Sequence, residues 1–167
     1  MKQATGGHRV YVEISKEAAM FKHILVPIDG SELSQAAVRA ACGFARLCGA
    51  RLTFYHAKPG YFPGNIGSEM AMAGPGIDEA FQAAQEARSQ AILADAARQA
   101  EAAGAAYTTR STVTDAPHEG ILEAAEAGGC DLILLASHGR RGLGALLLGS
   151  ETQKVLTHCK VPVLVYR

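Results

Sequence analysis

The chain of 167 residues is predicted to be an α/β protein, a parallel sheet with helices on both faces, and three observations predict it. Apolar, β-branched runs alternate with stretches of helical periodicity from Lys22 to Arg167. Two of those runs, KHILVPID and DLILLAS, are apolar on both faces, as strands covered by helices must be. The length suits one domain with a single core, and five strands within it suit a doubly wound, three-layer α/β/α sandwich.

Each element follows from its residues. KHILVPID (22–29) closes on Pro-x-Asp and reads as a buried strand. A helix follows, with Ser31 or Ser34 as its cap, Ala36, Val38, Ala41, Ala45 and Leu47 at helical spacing, and Gly49 as its stop. RLTFYHA (51–57) is the second strand. Residues 58–76 form a loop of unusual length that carries Met70 and Met72, and loops of that length are lids, binding loops or disordered segments. An alanine-rich amphipathic helix is expected from Ile77 to about Ala103, with Asp78 and Glu79 in its first turn and Gly104 beyond its end. AYTTRSTV (106–113) is a third, more polar strand. APHEGILEAAEAGG (116–129) is a helix with Pro117 near its first position. DLILLAS (131–137) is the fourth strand, a helix is expected from about Ser150 to His158, and VPVLVYR (161–167) is the fifth strand. Residues 1–19 look unlike the rest and form an N-terminal extension to a domain of residues 20–167; within the extension HRVYVEI alternates enough to make an extra strand.

The bulk properties exclude several classes of partner. Sixteen basic residues balance sixteen acidic ones, so no overall field favours nucleic acid, a membrane surface or a polyanion, and any anion site is local. No apolar run reaches the ~20 residues of a membrane helix, and no cleavable apolar leader is expected. Cys42, Cys48, Cys130 and Cys159 show neither a C-x-x-C pair nor zinc-like spacing; they read as reduced, mostly buried small hydrophobes in a soluble cytoplasmic protein, with no metal site.

In sheets of this kind a ligand sits beyond the strand C-termini, where the strand order reverses. With the first and fourth strands flanking that point, Pro27–Ser31 and Ala136–Ser150 line one cleft. The stretch ASHGRRGLGALLLGSET (136–152) carries glycines at 139, 142, 144 and 149, with Arg140 and Arg141 among them, and runs onto a helix start. Glycines let amides point inward and let main chain approach an anion, and a helix N-terminus carries about half a positive charge, so the stretch can cradle phosphate, with hydroxyls from Ser150 and Thr152. The competing reading is purely local: Ser150-Glu151-Thr152-Gln153 is also a capping box, and Glu151 would repel a phosphate beside it. The spacing is neither that of a Walker A loop nor that of a Rossmann fingerprint.

These residues carry a resemblance. Over residues 20–167 the chain resembles the universal stress protein family: ILVPIDGS (24–31) is similar to the opening motif, His56-Ala57 to a strand ending in His-Val, and VPVLVYR to the closing strand. The family signature G-x2-G-x9-G-S/T is matched from position 136 through Gly139 to Gly149 and Ser150. The resemblance implies a five-stranded parallel sheet of order 3-2-1-4-5, a homodimer made through strand 161–166, and ATP bound between the ends of strands 1 and 4, with Mg²⁺ bridging phosphate oxygens. By position, Asp29 would meet the adenosine end, and Pro27 and Ala57 would shape the adenine and ribose pocket, with Ile28 and Leu135 counted among the binding residues. Ala136, His138, Gly139 and Arg140 would follow the ribose and phosphates, and Gly149, Ser150, Glu151 and Thr152 would hold the phosphates. Two positions depart from the pattern. Ala136 replaces the first signature glycine, and Glu151 stands where a small or apolar residue is common.

Asp29 also suits a plain turn before Gly30, and His56 reads as a core histidine. No serine, cysteine or carboxylate is tied to His138 by sequence, so no catalytic set is expected. The function implied is a dimeric ATP-binding regulatory switch, with a nucleotide-free scaffold and a slow ATPase or phosphotransferase as the alternatives.

Overall fold

The computed structural model of the chain describes residues 20–60, 77–139 and 148–167. Nine elements alternate along it: β1 His23–Pro27, α1 Glu32–Cys48, β2 Arg51–Lys58, α2 Ile77–Ala103, β3 Tyr107–Val113, α3 Pro117–Gly128, β4 Leu132–Ala136, α4 Ser150–His158 and β5 Val163–Tyr166. All strand pairs are parallel, and the order across the sheet is β3-β2-β1-β4-β5, as the resemblance implied. The extension 1–19 with its HRVYVEI stretch, Arg140 and Arg141, and Met70 and Met72 of the long loop lie outside the described residues.

Two cores form because β1 and β4 alternate apolar side chains between both faces of the sheet. Ile24, Val26 and Ile28 join Leu132 and Leu134 on the face covered by α1 and α2. Leu25 and Ile133 join Ile121 of α3 and Val155 of α4 on the other face. Each such side chain contributes about 1.5–3 kcal/mol when fully buried. The chain winds outward through β1, β2 and β3 over the first pair of helices, then returns to β4 and builds α3 and α4 on the opposite face. That reversal puts the crevice between β1 and β4.

The helix signals resolve with corrections. Ser31 is the cap of α1: its Oγ accepts from the Ser34 amide at 3.2 Å, while the Ser34 hydroxyl donates to the Ser31 carbonyl at 2.9 Å. Gly49 ends the helix in the left-handed region at φ 69°, where a side chain would be strained. The buried stripe is Ser34, Ala37, Val38, Ala41, Cys42 and Ala45. Leu47, expected in that stripe, is 71 % exposed because it falls out of phase with it. In α2 the packed face, Ser89, Leu93, Ala96 and Ala100, occupies only the C-terminal half, so the amphipathic character expected of the whole helix belongs to that half. Cys42 and Cys130 are buried, Cys48 and Cys159 half-buried, and all four are free thiols. Burial pushes the Cys130 thiol up to about 11, which leaves it inert at neutral pH. No described helix is long and apolar enough to cross a membrane.

Candidate nucleotide site

The end of β1 turns sharply into α1. Asp29 Oδ1 accepts from the Ser31 amide at 3.0 Å, and Gly30 between them adopts φ 82°. The turn reading of Asp29 and its place at the crevice are therefore both realised: a Cβ built on Gly139 would come within 2.5 Å of Asp29 Oδ2. Only glycine at 139 lets the chain leaving β4 lie against that carboxylate.

Across the crevice, Gly149 is clamped to the end of β4. Its amide donates to the Ser137 carbonyl at 2.8 Å, and its Cα packs so closely on His138 that a Cβ would stand 3.2 Å from His138 Cα. Gly149 has φ −61°, so proximity rather than an unusual backbone angle selects glycine here. The Ser137 amide in turn donates to the Tyr166 carbonyl at 2.7 Å, which ties this corner to β5.

The capping box expected at Ser150 does not form. Gly149 is the N-cap of α4, no side chain caps the helix, Ser150 is its first residue, and Gln153 Nε2 donates instead to the Leu148 carbonyl at 3.1 Å. The two side chains that follow Ser150 are tied away from the helix start. The Thr152 hydroxyl, 5 % exposed, donates to the Ala136 carbonyl at 3.1 Å. The carboxylate of Glu151 reaches α3: Oε2 accepts from the His118 amide and from its Nδ1, each at 2.9 Å, and Oε1 accepts from Lys154 Nζ at 2.9 Å. Burial pushes the Glu151 carboxyl up, but the hydrogen bonds from Lys154 and His118 outweigh it and hold the group below the ordinary carboxylate range. The like-charge clash expected at Glu151 is thus muted, because its carboxylate is bonded to His118 of α3 and paired with Lys154 of its own helix.

The other site residues fall into two groups. Pro27 and Ala57 are half-buried at the ends of β1 and β2. Ile28, at 4 % exposed, and Leu135, at 5 %, are core side chains on opposite faces, so only their main chain borders the crevice. Ala136 is an ordinary strand residue paired with Tyr166, and no described non-glycine residue has positive φ, so the methyl meets no backbone strain. His138 is half-buried, with Nδ1 3.1 Å from Ser137 Oγ. His56, 2 % exposed with Nδ1 3.0 Å from Ser89 Oγ, is the core histidine expected. A shallow, open depression beside α1, lined by Ser31, Glu32, Ala36, Arg39, His138 and Gly139 among others, adjoins this corner.

Sequence reasoning missed Ser137, whose carbonyl holds Gly149, and His118, which holds Glu151. The position of Ser137 inside the signature was a signal for the first. Nothing local marks His118, which lies 33 residues from its partner.

The comparisons with known proteins agree with the fold. The model of the "Universal stress protein family" matches residues 20–167. A universal stress protein of Thermus aquaticus is 34 % identical over 149 residues, which are 89 % of this chain and 100 % of that protein. The chain spans 45 % of the length of three mycobacterial universal stress proteins to which it is 31 % identical. Among solved structures, protein MJ0577 of Methanocaldococcus jannaschii superposes with a TM-score of 0.72 at 25 % identity, covering 88 % of this chain and 96 % of that one. A universal stress protein in complex with cAMP superposes with a TM-score of 0.62 at 28 % identity, covering 88 % and 97 %. With the signature, the strand order and the family match in agreement, the chain belongs to the universal stress protein family.

Proposed function

We propose that the chain binds an adenine nucleotide, ATP foremost, between the ends of β1 and β4, and acts as a dimeric regulatory switch rather than as an enzyme. The observation that carries this reading is the start of α4. The helix enters the crevice behind a glycine with no side-chain cap, while the neighbouring hydroxyl and carboxylate are engaged elsewhere. Main-chain amides at 150–152 and the positive end of the helix dipole offer a phosphate group what it needs. Asp29, held by Ser31 and packed on Gly139, suits the hydroxyls of a ribose. The relative in complex with cAMP supports an adenine nucleotide as the ligand class.

Mg²⁺ bound with the nucleotide would offset phosphate charge, and Arg140 would add charge from the segment that follows Gly139. The edge strand β5, with Leu164 37 % exposed, is the surface proposed for the twofold mate.

The test is direct. Protein purified without added nucleotide is denatured, and the supernatant is resolved by ion exchange. An adenine nucleotide approaching one per chain, or heat on titration with magnesium and ATP, supports the proposal. Neither signal, with ATP at millimolar concentration, overturns it.

A further inference from the structure

The Glu151 carboxylate does for α3 what no side chain of α3 does. Ala116, the N-cap of α3, makes no side-chain capping bond, and Pro117 at the first helical position has no amide hydrogen. The Glu119 and Gly120 amides turn back to the Ala116 carbonyl, at 3.0 and 3.2 Å. The His118 amide is satisfied from another helix, by Glu151 Oε2. One side chain thus caps α3 from a distance and fixes the first turn of α4 against it. The Thr152 hydroxyl pins the same turn to the end of β4. Two successive residues hold the start of α4 at two points, on two different elements.

We infer that Glu151 is a positioning residue for the nucleotide: through the amide and ring of His118 it holds the first turn of α4 so that its amides face the crevice. The inference rests on the nucleotide-binding reading above. It predicts a sign opposite to simple electrostatics. Removing a negative charge next to bound phosphates should strengthen binding if charge is all that matters. Removing an anchor should weaken it.

The experiment compares Glu151→Ala with Glu151→Gln in the full chain. The glutamine carbonyl still accepts from the His118 amide, whereas alanine accepts from nothing. Expected is a loss of about tenfold in Mg–ATP affinity for Glu151→Ala, the scale of coupling inside one hydrogen-bond network, with Glu151→Gln at or above the affinity of the unaltered chain. Tighter binding by both variants alike overturns the inference. Hydrogen exchange on nucleotide-free protein reads the anchor independently: the His118 amide should lose protection in Glu151→Ala and keep it in Glu151→Gln. Equal protection in all three proteins also overturns the inference, whereas failure of the unaltered chain to bind nucleotide overturns the function on which it rests.

Discussion

The two ends of the sheet are built from similar residues and use them in opposite ways. At the N-terminal end, Asp131 accepts from the amides of Lys22 and His23 at 2.8 and 2.9 Å. The His23 ring stands between the Gly128 carbonyl, 3.0 Å from Nδ1, and Thr53 Oγ1, 2.7 Å from Nε2, and Thr53 Oγ1 lies 2.9 Å from Thr108 Oγ1. Nδ1 also lies 3.1 Å from Arg51 Nη2, so that ring nitrogen meets a carbonyl acceptor and a guanidinium donor at once. The polar groups at this end are bonded to one another, which is what stability asks of buried polar groups. At the C-terminal end Ser31 caps its own helix, but α4 starts without a side-chain cap and two glycines bring main chain into close contact with Asp29 and His138. The closed network belongs to folding. The open helix start is where the proposed nucleotide would place its phosphates.

Substitutions can break or sharpen this contrast. The largest effect is expected from Gly149→Asp. Aspartate is a good N-cap, so it supplies α4 with the acceptor it lacks and excludes the phosphate by charge. Calorimetry should show binding weakened about a hundredfold, ~2.8 kcal/mol, at a stability cost of about 1–3 kcal/mol, because a Cβ at 149 would stand 3.2 Å from His138 Cα. Unaltered affinity in a folded Gly149→Asp protein would remove the contrast altogether.

At the opposite end, His23→Ala takes the ring away from the Gly128 carbonyl and leaves Thr53 Oγ1 with Thr108 alone, and it should cost about 1–3 kcal/mol in urea unfolding, with ATP affinity unchanged. A parallel fall in affinity would show that the two ends act as one unit. Acid should reveal the same residue more gently. Burial and then the Arg51 guanidinium hold the His23 imidazole below its ordinary value of 6.5. The unfolded chain therefore takes up the proton first, so this contribution is fully present above about pH 6.5 and is lost as pH falls through the depressed folded value. Melting temperature followed from pH 7.5 downward should drop less steeply in His23→Gln than in the unaltered chain. The smallest effect is expected from Ala136→Gly, which restores the signature glycine. Because Ala136 has strand backbone, affinity should stay within about twofold while a glycine in a strand costs about 0.5–1 kcal/mol. A marked gain in affinity would mean that the methyl obstructs the ligand.

Much of this was legible along the chain. Ser31 and Gly49 announce the two ends of α1, and Gly104 and Gly129 follow α2 and α3, because caps and stops are local chemistry. The expected strand order located the crevice, and Gly139 and Gly149 are among the glycines where a Cβ would be crowded, as Gly120 is against Tyr55. Less legible was what the polar side chains in it do. Ser150 and Gln153 have capping-box spacing, yet the helix begins one residue too early for the box to close, with Gly149 as its N-cap. Glu151 reads as a repulsive charge until His118 is placed beside it, and Thr152 as a phosphate ligand until the Ala136 carbonyl claims its hydroxyl.

By itself, the sequence determined the succession of strands and helices, their boundaries to within a residue or two, and the loop where a ligand would meet main chain. Those depend on periodicity and on backbone preferences that act over a few residues. Only the tertiary structure decided which side chains around that loop are already committed, since an acceptor such as Glu151 finds its donor on another helix. Hydrogen bonds of that kind depend on distances that exist only once the sheet has brought β1 and β4 together and laid α3 beside α4.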